Sequence, residues 1–272
     1  MINRNPRITR EIIRTREVEL IFKDLPENCF NLALELGAGN GTQSRIMIKW
    51  ACDLLSTDIN FNRLIPKRNP NIDYQICDAN KLPYKSEVFD LIYSSNLLEH
   101  ISNPNQSLKE MHRVLKDDGI MIHIIPNRFW KLAHLLLFHL NQMLLLIEKI
   151  TSTKHSIKKD KNPNNWTSIK QKSRLTKIFR KFWPNVHGEY KNHITEFIEM
   201  GYSNWNNNFT QSSFKIIGYI DNLPVHSPYR FGLHRIRKIL ENIGFSSSHG
   251  FVLAKKSSKT YPDLTFNLKN NL

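Results

Sequence analysis

The sequence predicts an α/β protein built on a parallel, doubly wound sheet, and three observations carry that prediction. Between residues 32 and 126, strand-like apolar runs alternate with helical patterns five times, as in a parallel sheet whose crossovers are helices. The first of these runs, Leu32, Ala33, Leu34 and Leu36 with Glu35 near its end, passes straight into Gly37, Gly39 and Gly41. The next two strand-like runs end on acids, Asp58 and Asp78. In open α/β sheets ligands bind beyond the C-terminal ends of the strands, so these three strand ends point to one crevice.

The elements follow in order. Ile8, Ile12, Ile13, Val18, Leu20 and Ile21 fall at helical spacing within Ile8–Lys23, with Thr9 as a cap. This leading helix is expected to pack against the sheet or to cover the substrate site as a lid. In LALELGAGNGTQS, glycines at every second position remove the Cβ atoms that would hold a ligand off and permit positive φ. Thr42-Gln43-Ser44 then opens a helix, Gln43 to Trp50, followed by a strand, Asp53 to Thr57, that ends in Asp58. One helix and one strand after the turn, a carboxylate returns beside it, where it can accept both hydroxyls of a ribose or remain a solvated strand-end acid. Past Pro66 and Pro70 come a third strand, Ile72 to Cys77, then Asp78-Ala79-Asn80, Leu82-Pro83-Tyr84 and a fourth strand, Phe89 to Ser95. Asn96 to His100 leaves that strand. Pro104 to Leu115 places Leu108, Met111 and Leu115 on one helical face, Lys116 to Gly119 has the composition of a turn, and Ile120 to Ile125 is a fifth buried strand closed by Pro126.

Length and composition set bounds. At 272 residues and 32.0 kDa the chain suits one large domain, or one of ordinary size with an insertion. With 40% hydrophobic residues, ten glycines and twelve prolines it is neither fibrous nor of low complexity. A net charge of +15 implies attraction to something anionic: nucleic acid, an acidic membrane or a phosphorylated substrate. Cys29, Cys52 and Cys77 are odd in number and lack Cys-x-x-Cys or Cys/His ligand spacing, so free thiols, a reducing compartment and no metal are expected. The N-terminus carries charges throughout, unlike a secretory signal, and the expectation is cytoplasmic residence.

The second half is less regular. Phe129 to Ile150 approaches the length of a membrane span, but Lys131, His134, His139, Asn141, Gln142 and Glu148 interrupt it. It suits a buried helix or one lying in a membrane interface. From Lys154 to Lys191 eleven Lys or Arg stand against only Asp160 and Glu189, interleaved with Trp166, Phe179, Phe182 and Trp183. The piece KQKSRLTKIFRKFW suits anionic headgroups and equally the phosphates of RNA or a merely solvated face, so residues 129–183 are the candidate contact with an anionic membrane. Thr195 to Met200 is helical, Asn204 to Asn208 a polar turn, Phe214 to Ile220 a strand, Leu233 to Asn242 a helix stopped by Gly244, and Gly250 to Lys255 a last strand. The expected layout is one domain over 1–272: an N-terminal helix in 1–30, a core in 31–126, a basic helical insertion in 127–212, two closing strands in 213–256 and a loose tail in 257–272.

Five ordered segments, ELGAGNG, STDIN, CDANKLPY, FDLIYSSNLLEHI and LKEMHRVLKDDGIMIHIIP, together resemble the class I S-adenosylmethionine-dependent methyltransferases, most nearly their small-molecule type 11 branch. The resemblance covers residues 32–126. It implies a Rossmann-like sheet of seven strands with the last antiparallel, the helical insertion lying between strands five and six. It also implies that Glu35, Gly37, Ala38, Gly39 and Gly41 hold the methionine part of S-adenosylmethionine, that Asp58 with Ile59 beside it holds the ribose, and that Asp78 and Ala79 hold the adenine edge. Ser94 and Ser95 would lie near the sulfonium. NAD is the rival cofactor, but the third glycine comes one residue early for its fingerprint, and the Asp78-Ala79 and Leu82-Pro83-Tyr84 signals have no part in it. Hydroxyl acceptors need a base, for which His100 of the LEH segment leads and His193, with Glu196, is second; either can be purely structural. The expected reaction is O-methyl transfer to a small or lipid-linked acceptor with a sugar or quinone-like head. An RNA methyltransferase or a non-catalytic S-adenosylmethionine-binding regulator are the alternatives. The fourth strand ends in SSNL, without the Asn/Asp-Pro-Pro-Tyr run used on base amino groups, and no Pro-Cys nucleophile occurs, which makes nucleic acid the less favoured acceptor.

Overall fold

A computed structural model describes residues 6–64, 69–151, 183–226 and 234–260. Helix α1 (Pro6–Phe22) leads into β1 (Phe30–Leu36), α2 (Ser44–Met47), β2 (Ala51–Asp58), α3 (Phe61–Leu64), β3 (Asp73–Ile76) and β4 (Phe89–Ser95). A single 3₁₀ turn (Leu98–His100) precedes α4 (Pro104–Val114), β5 (Leu115–Pro126) and the long α5 (Arg128–Thr151). The chain continues through α6 (His193–Glu199), α7 (Tyr202–Gln211), β6 (Phe214–Ile220), α8 (His234–Asn242) and β7 (Ser248–Lys255). The seven strands form one sheet in the order β3-β2-β1-β4-β5-β7-β6. The pairs from β3 to β5 are parallel, and β7 runs antiparallel between β5 and β6. The strand order reverses at β1, whose neighbours are β2 and β4, and that is where a doubly wound sheet leaves a crevice.

Strand alternation divides the core between the two faces of the sheet. Ala33, Leu91, Tyr93 and Ile122 join Val18, Ile21 and Phe22 of α1 and Trp50 on one face. Leu34, Leu36, Ile92 and Met121 meet Leu108 and Met111 of α4 and Trp205 and Phe209 of α7 on the other. Register brings the business end level, since Leu36 stands opposite Thr57 on one side and Ser94 on the other. The glycine turn therefore emerges between Asp58 and Ser95.

Three local expectations are corrected. Lys116 to Gly119 is no turn, because β5 begins at Leu115 and runs twelve residues, with a register irregularity opposite Phe89 to Leu91. Lys116 Nζ donates to Asp90 Oδ1 at 2.7 Å, and a Cβ at Gly119 would meet the Phe89 and Asp90 carbonyls at 2.9 and 3.1 Å, so the glycine serves close strand packing. Asn204 to Asn208 lies inside α7, where buried Trp205 and Phe209 sit one turn apart and override the turn-like asparagines. The helix expected over Gln43–Trp50 shortens to Ser44–Met47. Helix α5 is neither buried all round nor bare. Trp130, Lys131, His134 and Phe138 face inward, while Leu132, Leu136, Leu140 and Leu144 make an exposed apolar row with Met143 and Ile147 beside it. No described helix is long and apolar enough to cross a membrane. The basic run from Lys154 to Lys181 lies outside the described residues, as does the tail beyond 260.

Candidate active site

Two adjoining cavities of about 640 and 670 Å³ open at the C-terminal ends of β1, β2 and β4 and share Gly37 and Arg63. Of the residues singled out by sequence, Gly37, Ala38, Gly39 and Ser95 line the first, and Gly37, Asp58, Ile59, Asp78, Ala79 and His100 line the second. Gly39 has φ +58° and no atom within 4 Å of where a Cβ would stand, so the backbone itself forms the wall of the crevice there. Its N–H donates to Asp58 Oδ2 at 2.9 Å, and the Ala38 N–H donates to the Thr57 carbonyl at 2.8 Å. These bonds fix the turn onto β2. The other Asp58 oxygen accepts from the Asn60 N–H at 2.8 Å, and Asp78 Oδ1 accepts from the Asn80 N–H at 2.9 Å. Both acids keep lone pairs toward a ligand's hydroxyl or amino groups.

Other expected site residues stand elsewhere. Glu35 is buried behind the turn, accepting from Ser44 Oγ and, at 2.9 Å, from Ser56 Oγ. Burial pushes its carboxyl up to about 7, against the opposing pull of the two serine hydroxyls. It braces β1, β2 and α2 rather than lining the crevice. Gly41 has φ +69° and packs on Tyr74, outside the lining. Ser94 is also buried, its Oγ 2.7 Å from Nδ1 of His123. His193 lines neither of these two cavities: its Nε2 lies 3.2 Å from the Pro184 carbonyl, and its Nδ1 lies 2.7 Å from Lys131 Nζ. A carbonyl only accepts, so Nε2 holds the proton and Nδ1 takes the lysine's hydrogen bond, which leaves no ring nitrogen for a substrate. Lys131 and Glu196 complete this buried knot between α5 and α6. His100 alone of the two candidate bases reaches the crevice, and burial lowers its pKa against the opposing pull of Glu99.

Helix α1 brings a further network to the turn, one that no local motif marks. Arg14 Nη1 donates to Glu17 Oε2 at 2.7 Å and to Ser95 Oγ at 2.8 Å. Glu17 Oε2 also accepts from Ser95 Oγ at 2.9 Å and from Gln43 Nε2 at 2.8 Å, and Gln43 reaches Tyr93. Arg10, Arg14 and Arg63 thus stand around the glycine turn, Arg14 paired with Glu17 and Arg63 Nη1 4.0 Å from Asp58 Oδ2, so that Arg10 and Arg14 lie at one end of the crevice and the acids Asp58 and Asp78 at the other. The i, i+3 spacing of Arg14 and Glu17 was the local signal available. It reads as an ordinary surface pair until the helix is docked on β4. A zwitterionic molecule with a carboxylate at one end and ribose hydroxyls and an adenine at the other fits this distribution.

Residues 34–123 match the family described as Methyltransferase domain, type 11. A ubiquinone biosynthesis O-methyltransferase from Bartonella quintana is 28% identical over 151 residues, covering 53% of this chain and 60% of that protein. A demethylmenaquinone methyltransferase from Renibacterium salmoninarum is 32% identical over 91 residues, or 33% of this chain and 38% of that one. The chain thus spans about three fifths or less of the curated relatives it matches. A chain from the complex between the Haloferax volcanii Trm112 methyltransferase activator and a candidate methyltransferase shares the fold, with a TM-score of 0.52 at 11% identity over 91% of this chain and 93% of that one. With strand order, glycine turn and family match in agreement, residues 34–123, about a third of the chain, are similar to that methyltransferase domain, and S-adenosylmethionine is the cofactor.

Proposed function

We propose that the protein transfers a methyl group to an oxygen of a small or lipid-linked acceptor with a sugar or quinone-like head. The observation that carries this reading is the crevice in which the glycine turn, Asp58, Asp78 and His100 meet. When bound, S-adenosylmethionine supplies an electrophilic methyl group and leaves as the neutral sulfide. Within the crevice, Arg10 and Arg14 would face a carboxylate, Asp58 with Ile59 beside it would take the ribose hydroxyls, and Asp78 and Ala79 would frame the adenine. The backbone at Gly39 lets the ligand approach closely. For an in-line displacement the protein mainly holds donor and acceptor on one line, and the acceptor's proton leaves at the Glu99–His100 corner. The relatives named for quinone methylation support a quinol-like acceptor, although each overlaps this chain only in part.

The anionic partner in this reading is a lipid surface. The apolar row Leu132, Leu136, Leu140 and Leu144 is followed in sequence by the cationic run beginning at Lys154, an order that suits a helix lying in an interface beside anionic headgroups. Co-sedimentation with anionic vesicles tests it. Binding should fall when Lys170, Lys172, Arg174, Lys177, Arg180 and Lys181 are neutralised together, and unchanged binding would remove the membrane from the account. The activity itself is tested by following S-adenosylhomocysteine formation with hydroxylated quinols, catechols and sugars. Turnover on at least one, reduced about 10²-fold or more in His100→Ala with cofactor affinity retained, is expected. Tight cofactor binding without turnover on any acceptor would favour a regulatory binder instead.

A further inference from the structure

Outside the cofactor contacts, the most unusual side chain is Glu99. It lies in the 3₁₀ turn after β4, its side chain fully buried, and neither carboxylate oxygen has a hydrogen-bond partner among the described residues. A bare carboxylate removed from water costs several kcal/mol, so buried charges are ordinarily paired or coordinate a metal. The nearest cation-forming groups are His187 Nε2 at 3.7 Å and His100 Nε2 at 3.9 Å, both measured to Oε1. These distances exceed a hydrogen bond. They instead surround a gap: one ligand atom from each of Glu99, His100 and His187 lies within 4.8 Å of the others.

The geometry points to a metal site in which Glu99, His100 and His187 hold one divalent transition cation. Tetrahedral coordination at roughly 2.0–2.2 Å sets neighbouring donors roughly 3.4 Å apart, so the carboxylate–imidazole separations need close by only a few tenths of an ångström. Two imidazoles with one carboxylate favour zinc, iron(II) or cobalt(II) over magnesium or calcium, which take all-oxygen sets. The surroundings are built to hold these donors. The loop carrying His187 lies directly on the Glu99 backbone: Gly188 has φ +72°, a Cβ there would stand 2.2 Å from the Glu99 carbonyl oxygen, and the Glu189 N–H donates to that oxygen at 3.1 Å. The His187 N–H reaches Glu196 Oε2 at 3.3 Å, and the His187 ring lies between Trp130, 4.7 Å away, and the edge of His100, 4.6 Å away. Such outer contacts fix ring orientation around metal ligands. Cysteine spacing alone predicts no metal. This set joins residues 87 positions apart in sequence, and only the fold shows it.

His100 also lines the cofactor-side cavity, so the cation would sit at the crevice wall with positions left for an acceptor oxygen. This consequence rests on the methyl-transfer reading above. There the cation would lower the pKa of the acceptor's hydroxyl, so that its proton passes to water in the open crevice and the oxygen attacks the methyl carbon as the carbon–sulfur bond breaks, with no side-chain base required.

The test uses untagged full-length protein stripped with chelator and titrated with Co²⁺, reading the visible d–d absorption, then displaced by Zn²⁺, with metal content measured after dialysis. One equivalent of cobalt with a d–d spectrum is expected, lost in Glu99→Ala and reduced at least tenfold in affinity in His187→Gln. Circular dichroism and S-adenosylmethionine titration of the same samples report folding and the cofactor site separately from the metal. Because His187 is partly exposed, its variant remains informative if Glu99→Ala misfolds. No cobalt bound by the wild type, or equal binding by wild type and a folded His187→Gln protein, would overturn the site while leaving the methyltransferase reading intact.

Discussion

At the scale of single residues, Gly39 and Glu35 decide how the turn works, one on each side of it. Gly39 holds a left-handed backbone conformation facing the crevice. Gly39→Ala should cost about 1–2 kcal/mol of stability from the strained conformation alone, measured by urea unfolding. Gly39→Arg should in addition fill the ligand's space and abolish cofactor binding. Glu35 sets a pH dependence. Its folded-state pKa is raised from 4.5 to about 7, so between those values the folded protein holds a proton that the unfolded chain releases. The stability from this group is fully present below about 4.5 and is lost as pH rises through about 7, up to roughly 3 kcal/mol by the usual conversion of pKa shifts to free energy. Urea midpoints for Glu35→Gln should therefore fall less steeply than wild type between pH 5 and pH 8. Parallel curves would show that the buried carboxyl is ionised at low pH after all.

At the scale of elements, the fold's second half turns on two features that local sequence obscured. Helix α7 contains four asparagines, which favour turns and caps over helix interiors, yet Trp205 and Phe209 bury one face of it against the sheet. Exposed Asn207→Ala should then leave stability unchanged or raise it by a few tenths of a kcal/mol, because alanine is the better helix former, while Phe209→Ala should cost about 3–5 kcal/mol. Destabilisation by Asn207→Ala would argue for a side chain engaged in a turn. The second feature is the buried Lys131–Glu196 pair joining α5 to α6, with His193 on the same lysine. Lys131→Met leaves a buried carboxylate uncompensated and should cost about 3–5 kcal/mol in thermal or urea unfolding. The double change Lys131→Met with Glu196→Met should recover much of that loss, a result that a purely volumetric role for Lys131 would not give.

Over the whole molecule, the parallel half of the sheet was legible because its strands are short apolar runs, the first three of them ending at a glycine or an acid. Phe89–Ser95 and Phe214–Ile220 have the very limits expected of them. The crevice was legible where one local motif holds both position and chemistry, as at Gly37 to Gly39, Asp58 and Asp78. It was not legible where the contact spans the chain. Arg14 joins the site only because α1 docks on β4, and His187 meets His100 only because a loop 87 residues downstream lies back on Glu99. Composition misled at Lys116 to Gly119 and Asn204 to Asn208, since tertiary burial outweighs weak turn propensity. The His193 segment misled for the opposite reason, its pattern being real and its nitrogens already bonded.

Titration calorimetry of the purified chain with S-adenosylmethionine tests the central claim most directly. The account predicts one equivalent bound with micromolar affinity by the wild type, weakening at least tenfold in Asp58→Ala and disappearing in Gly39→Arg while that variant keeps its circular dichroism spectrum. No binding by the wild type, or equal binding by wild type and Gly39→Arg, would contradict it.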